Sequence, residues 1–314
     1  MSDTVFDSLV ANLGDRVQCE VDLTNKVTLR THVVAQYYFE AESRSELTRA
    51  YITASKLKIP FFIIGGGSNL ALVTPRIEGL VVKNQYIHKE IVSEDSDEVT
   101  IKVSSGYRIS SLVNETIKEG WSGLQYHAGL PGTVGGAVYM NSKWTNPESY
   151  IGDCIDQVAV LDSQGNVRFE GKSYFKFRYD YSIIQDTREL VVDVVFKLKK
   201  ADPQKLADEV KEYRGYREDT QPPAAGSSGC FFQNITDEDQ KRIGVATKSA
   251  GALIDRAGLK GKSIGNFYIS DKHANFILNR GEGDPQDLTE LINLVKETVR
   301  HKFGVVLRPE VVVK

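Results

Sequence analysis

The feature that most constrains this chain is a short apolar run that empties into glycines: Phe61-Phe62-Ile63-Ile64-Gly65-Gly66-Gly67-Ser68-Asn69-Leu70. A run that short, stopped by glycine, reads as a buried strand rather than a helix. Successive glycines let the main chain pass close to another backbone or to a ligand, and their N–H groups can approach a phosphate. On the pattern alone the loop serves either phosphate binding or a tight turn. Just before it, Ser43-x-x-Glu46 can form a capping box, and Leu47, Ala50, Tyr51, Ala54 and Leu57 follow at helical spacing. Helix, buried strand and glycine loop form the local plan.

A second cluster, Ala128-Gly129-Leu130-Pro131-Gly132-Thr133-Val134-Gly135-Gly136-Ala137-Val138, also lies beside strand-like sequence. Two such turns suit a long cofactor held by main chain at more than one point. Neither reads as G-x-G-x-x-G opening a helix, which argues against a Rossmann dinucleotide site. Gly261-Lys262-Ser263 resembles the tail of a P-loop, but Arg256 stands where its first glycine is required.

Elsewhere the pattern is strand-rich α+β. Residues 79–82 and 99–103 read as strands, and Ile109, Leu112, Val113, Thr116 and Ile117 as a helical stripe closed by Gly120. Residues 157–162 and 167–170 flank Ser163-Gln164-Gly165-Asn166 as a hairpin, and 189–199 reads as a further strand. Composition shifts at Lys199-Lys200-Ala201-Asp202-Pro203, a domain boundary by this reading, and a helix over 204–216 leads into a flexible segment, 221–229. Asp284 and Pro285 look like N-cap and first position of a helix that buries Leu288, Leu291, Ile292, Val295 and Val299 and stops at Gly304. Residues 305–313 read as a final strand.

The length of 314 residues suits about two domains at roughly 150 residues each. With 39 basic and 42 acidic side chains the formal charge is −3, and no basic stripe is present, so nucleic acid and anionic membrane are poor partners and small molecules the default. Cys19, Cys154 and Cys230 lie too far apart for a disulfide framework or a metal site and fit a reducing compartment. The acidic start and the lack of any apolar run near ~18 residues lead to the expectation of a cytoplasmic protein. Two positions remain open on residue type alone. Cys230, after Ser-Ser-Gly, is either presented to a ligand or a small buried hydrophobe; Glu310, inside an apolar strand, is either turned to solvent or held in a site.

Five blocks in order carry a resemblance: Gly65-Gly66-Gly67-Ser68-Asn69-Leu70; Ala128 through Ala137 followed by Asn141; Ser228-Gly229-Cys230-Phe231-Phe232-Gln233-Asn234; Ser270-x-Lys272-His273-Ala274-Asn275-Phe276-Ile277-Leu278-Asn279; and Phe303-Gly304-Val305-Val306-Leu307-Arg308-Pro309-Glu310. From about Leu23 to the C-terminus the chain resembles the UDP-N-acetylenolpyruvoylglucosamine reductase family, flavoenzymes that make UDP-N-acetylmuramate for bacterial peptidoglycan. The Gln221-Pro222 approach looks like the family's shorter branch. The resemblance implies an α+β chain: a two-subdomain FAD-binding fold of the vanillyl-alcohol-oxidase/PCMH type over 1–200, with subdomains about 1–77 and 78–200, and a substrate-binding α+β domain over 201–314. It implies FAD, noncovalent because residues 65–70 contain no histidine for a tether, with NADPH as hydride donor. NADPH reduces FAD and leaves, and the enolpyruvyl sugar nucleotide then enters the same cleft, a ping-pong scheme. A monomer is expected.

By the same resemblance Gly65, Gly66, Gly67, Ser68, Asn69, Leu70, Gly129, Pro131, Gly132, Thr133, Gly135, Gly136 and Ala137 contact the cofactor. Cys230 takes the position of the family's serine acid and Glu310 that of the glutamate that stabilises the enolic form. A thiol is a far stronger acid than a serine hydroxyl, so the exchange is chemically competent. Arg178, Tyr179, Gln233 and Asn234 fall at substrate-binding positions. Two further departures stand out. Asp180 holds the slot of an arginine that lies beside substrate, with Arg178 two residues away and, on a strand, on the same face. His32-Val33 stands where two glycines are usual. The alternatives are another oxidoreductase on the same FAD scaffold and a catalytically retired sugar-nucleotide-binding homologue.

Overall fold

The computed structural model describes residues 3–222 and 226–314; the centre of the segment read as flexible, 223–225, lies outside the described residues. The chain divides into two compact units, one made of Met1–Val21, Ala35–Gly66 and Glu78–Arg217, the other of Asp22–Val34, Gly67–Ile77 and Glu218–Lys314. These units do not follow a linear cut at residue 200. The helix Pro203–Thr220 buries Leu206 and Val210 in the core of the first unit, and two N-terminal segments belong to the second.

The first unit is built on two sheets. One has the order Gln18–Asp22, Val34–Ala41, Arg76–Asn84, Phe61–Ile64. Phe61–Ile64 runs parallel to Arg76–Asn84, Phe61 opposite Leu80 and Ile64 opposite Lys83. The strand Arg76–Asn84 spans residue 77, so a subdomain limit at 77 falls inside it. Helix Arg44–Leu57 starts as its capping signal requires: Ser43 Oγ accepts from the Glu46 N–H at 3.2 Å, while the Glu46 carboxylate reaches the N–H of Glu42 rather than that of Ser43. Its Leu47, Ala50 and Ala54 are buried with Phe39, Leu80 and Val82.

The other sheet is antiparallel, in the order Val167–Gly171, Ile155–Leu161, Leu190–Lys200, Glu98–Ser104, Lys89–Glu94, with Trp121–Ser122 paired off the central strand. The anticipated hairpin is present, Leu161 opposite Val167. Helix Ile109–Lys118 buries the stripe Ile109, Leu112, Val113 and Thr116.

In the second unit an antiparallel sheet runs Ser227–Cys230, Phe276–Asn279, Phe267–Ile269, Ser263–Ile264. Helix Pro285–Phe303, capped by Asp284 and closed by Gly304, contributes Leu288, Leu291, Ile292, Val295 and Val299 to its core. The final strand is shorter than the apolar run suggested. Only Val312–Val313 is a strand, parallel to Leu70–Ala71. Pro309 has no N–H to give a ladder, so 305–309 is held by isolated bonds and a single bridge to Phe232.

Candidate active site

The two glycine clusters meet within the first unit. A methyl group on Gly66 would lie 2.5 Å from Gly132 Cα, and one on Gly65 would collide with Thr133 Oγ1. Only glycine permits main chain to pass main chain this closely. Lys83 Nζ donates to the Gly65 carbonyl at 2.7 Å. In the second cluster Gly129 and Gly132 take φ of +78° and +105°, and a Cβ on Gly135 would press to 2.9 Å of Ser105 Cβ. This cluster does open a helix, Val134–Met140, with Thr133 at its N-cap and Gly135, Gly136 and Ala137 in its first turn, although its glycine spacing is not that of a Rossmann loop. The cradle has the small-residue, main-chain-lined character that a long phosphate-bearing cofactor requires, so these residues fit FAD.

The remainder of the first loop, Gly67 to Leu70, belongs to the second unit. There the Gly67 carbonyl accepts from both the N–H and Oγ1 of Thr28, each at 3.1 Å. The segment bearing His32-Val33 is tied down by His32 N–H to the Gly283 carbonyl (2.8 Å) and by Asn279 Nδ2 to the Leu29 carbonyl (2.7 Å).

The same unit brings the proposed acid and glutamate to one seam. Cys230 ends the strand Ser227–Cys230 opposite Phe276. One residue on, the Phe231 carbonyl accepts from the Glu310 N–H at 2.8 Å, and Gln233 N–H donates to the Arg308 carbonyl at 2.9 Å. Ser228 Oγ donates to the Leu70 carbonyl (2.7 Å) and Val312 N–H to the Asn69 carbonyl (3.0 Å). The segments bearing Cys230 and Glu310 and the end of the first glycine loop are therefore joined by three backbone hydrogen bonds and one from the Ser228 hydroxyl. Cys230 and Glu310 are half-buried, which places neither in the core nor fully in solvent.

Asn275 locks this seam, a role the motif alone did not disclose. It is 4% exposed; its Oδ1 accepts from Phe232 N–H (3.0 Å), its Nδ2 donates to the Phe232 carbonyl (2.7 Å), and its own carbonyl accepts from Phe231 N–H (2.8 Å). Gln233 is half-buried; Asn234 is exposed, with its Oδ1 accepting from the Ala250 N–H at 3.2 Å.

The arginine-slot region, in the first unit, differs from the strand expected of it. Residues 178–181 form a tight turn, Arg178 and Tyr181 exchanging backbone hydrogen bonds of 3.2 and 3.1 Å, with Asp180 left-handed at φ +51°. Arg178 therefore does not share a face with Asp180. It is exposed, its guanidinium 3.7 Å from the Tyr181 ring centroid, whereas Asp180 is buried and paired with Lys143. A second missed residue is thus Lys143, which no local motif marks.

Burial holds two other groups of the first unit uncharged near neutrality. The Cys154 thiol is pushed up to about 11 by burial and Asp153. His127, beside the second cluster, is lowered to about 4 by burial and the Arg217 charge. Among the described residues no group of His, Cys, Asp and Glu is placed to hold a metal ion, and no helix is long and apolar enough to cross a membrane.

Comparison with known proteins places this geometry. Residues 35–169 match an FAD binding domain, and 221–314 match the C-terminal domain of UDP-N-acetylenolpyruvoylglucosamine reductase. The reductase of Chlamydia felis is 33% identical over 306 residues, covering 97% of this chain and 97% of its own. The chain belongs to the UDP-N-acetylenolpyruvoylglucosamine reductase family. The Acaryochloris marina reductase is 30% identical over 99% of this chain and 97% of its own. The crystal structure of the Thermus caldophilus reductase superposes with a TM-score of 0.76 at 29% identity, over 95% of this chain and 98% of that one. A variant of Phl p 4, a glucose oxidase, shares the fold alone, at 14% identity and a TM-score of 0.50 over 71% of this chain and 51% of that one. This family member is an FAD-dependent oxidoreductase with the α+β FAD-binding fold and the C-terminal domain that the sequence implied.

Proposed function

We propose that this protein reduces the enolpyruvyl ether of UDP-N-acetylglucosamine to UDP-N-acetylmuramate in peptidoglycan synthesis, with NADPH as donor, in a ping-pong sequence. The observation that carries the reading is the seam in the second unit, where Glu310 N–H meets the carbonyl of Phe231, next to Cys230, and where Ser228 and Val312, two residues from Cys230 and Glu310, bond the carbonyls of Leu70 and Asn69 in the first glycine loop. Domain roles follow from it: the N-terminal part, to about residue 200, holds the cofactor and 201–314 the sugar nucleotide. Gly65 to Leu70 and Gly129 to Ala137 hold FAD noncovalently through main chain. FAD bound there would supply the hydride chemistry that links NADPH to the terminal methylene carbon of the enol ether.

The chain's own residues complete the reduction. Hydride addition leaves negative charge on the carboxylate-bearing carbon and its carboxylate. Cys230 Sγ donates the proton that this carbon needs, and a thiol placed there is acidic enough to do so near neutral pH. Glu310 hydrogen-bonds the enolic form before the proton arrives. Arg178, Tyr179, Gln233 and Asn234 contact the sugar nucleotide. The protein works as a cytoplasmic monomer.

The test is the visible spectrum of the purified holoprotein under anaerobic NADPH, followed by addition of the enolpyruvyl sugar nucleotide. Bleaching and then recovery of the flavin bands is the expected result. Bleaching without recovery indicates another acceptor, and flavin that NADPH does not bleach indicates a retired binding homologue; either contradicts the proposal.

A further inference from the structure

The strand Arg76–Asn84 ends on two side chains that reach the two glycine clusters. Lys83, opposite Ile64, is on the last rung of the pairing with Phe61–Ile64. Its ammonium donates at 2.7 Å to the carbonyl of Gly65, where the chain leaves that ladder. Asn84 points to the other face of the strand and is buried. Its Nδ2 donates to Ser105 Oγ at 2.9 Å, and its Oδ1 accepts from Tyr86 N–H at 3.1 Å. The Ser105 carbonyl in turn accepts from Gly135 N–H at 2.8 Å. One strand end is thus bonded to Gly65 of the first cluster and, through Ser105, to Gly135 of the second.

The bond to Gly65 fixes more than one atom. A trans peptide is planar, and its carbonyl and N–H point in opposite directions. Holding the Gly65 carbonyl on the Lys83 side therefore turns the Gly66 N–H to the other side. Gly66 is exposed, and among the described residues no acceptor of the chain meets that N–H. Consecutive glycines without such a hold sample many backbone conformations, so a donor aimed in advance lowers the entropic cost of binding a ligand. For packing alone lysine is a poor choice at this rung. It follows the buried Leu80-Val81-Val82 and is itself half-buried, so an apolar residue would fill the position without the cost of desolvating an ammonium.

We propose that Lys83 is a positioning residue for the cofactor: by pinning the Gly65 carbonyl it presets the Gly66 N–H as a donor to FAD. This rests on the reading above that Gly65 to Leu70 holds FAD, and adds to it a residue outside both clusters. The hold requires only the bond to Gly65, whatever else the ammonium touches. Asn84 anchors the base from which Lys83 reaches, because it ties the same strand end to Ser105 and so to the second cluster. A merely structural bond stabilises the chain equally with and without FAD. A positioning bond changes the affinity for FAD itself.

The experiment titrates the full-length protein, stripped of flavin, with FAD by flavin fluorescence, and records melting temperature with and without saturating FAD, in wild type, Lys83→Met and Lys83→Arg. Lys83→Met is expected to raise the FAD dissociation constant about tenfold, the loss of one charge-assisted hydrogen bond. The rise in melting temperature that FAD produces shrinks with it. Lys83→Arg keeps a cationic donor and is expected to recover most of both. An unchanged dissociation constant in Lys83→Met, melting temperatures that fall equally with and without FAD, or a Lys83→Arg variant as weak as Lys83→Met overturns the inference. Should Lys83→Met fail to fold, Lys83→Ala decides by the same readings: weaker FAD binding supports the inference and unchanged binding overturns it. A wild-type chain that binds no FAD overturns the cofactor reading and this inference together; FAD binding that is indifferent to Lys83 overturns the inference alone.

Discussion

The Phe231 seam of the second unit and the 178–181 turn of the first are held by different kinds of force. At the seam, main chain meets main chain, Glu310 N–H on Phe231 and Gln233 N–H on Arg308, and one uncharged side chain, the Asn275 amide, closes both polar groups of Phe232. The main-chain bonds of this seam run through residues 231, 233, 308 and 310. The turn closes on the mutual backbone bonds of Arg178 and Tyr181 but adds side chains of its own, with Asn141 bonding the Arg178 carbonyl and the Lys143 charge answering Asp180. The seam is thus framed largely by main chain, whereas the turn sets a buried aspartate against a lysine.

Breaking the seam's chemistry gives the largest effect. Glu310→Gln is expected to slow flavin reoxidation by the enolpyruvyl substrate roughly 10²–10³-fold while leaving NADPH-driven reduction intact, as read by stopped-flow absorbance. Breaking its frame comes next. Asn275→Ala strands the buried N–H and carbonyl of Phe232 and should cost about 2–4 kcal/mol in denaturant unfolding, whereas Gln233→Ala, whose backbone bond survives, should cost little.

The third test lies on the turn's side, where the strand Lys143–Thr145 packs on the turn Gln125–His127. His127 is held to about 4 in the folded chain, below its ordinary 6.5. The unfolded chain therefore binds the extra proton first, and stability present above pH 6.5 is lost as pH falls from 6.5 through about 4. The difference is worth about 3 kcal/mol over that window, and His127→Gln should flatten the acid limb of a melting-temperature profile. The smallest effect is expected of Arg178→Ala. As an exposed, ring-stacked arginine it is expected to change substrate KM only about three- to fivefold, and more at low salt than at high.

The same contrast explains what the sequence disclosed. Periodicity and capping located the helices Arg44–Leu57, Ile109–Lys118 and Pro285–Phe303, because each buries one face against a sheet. Apolar patterning overextended the last strand, since hydrophobicity does not register that Pro309 cannot donate. The 178–181 turn was hidden for a similar reason. Its cause is Asn141, 37 residues away, bonding the Arg178 carbonyl, and no local spacing reports it. Lys143 was invisible on its own and becomes meaningful only opposite Asp180. Asn275 lay inside a quoted motif, yet its double grip on Phe232 is a property of the folded seam. The glycines were legible because close approach of Gly66 to Gly132 leaves no other residue type possible.

The central claim is that Cys230 delivers the proton that completes the reduction. The most direct measurement follows both half-reactions by anaerobic stopped-flow in Cys230→Ser and Cys230→Ala. Both variants should be reduced by NADPH at the wild-type rate; Cys230→Ser should keep turnover, and Cys230→Ala should be reoxidised by the enolpyruvyl sugar nucleotide roughly 10²–10⁴-fold more slowly. Reoxidation of the alanine variant at the wild-type rate would contradict the assignment of Cys230 as the acid.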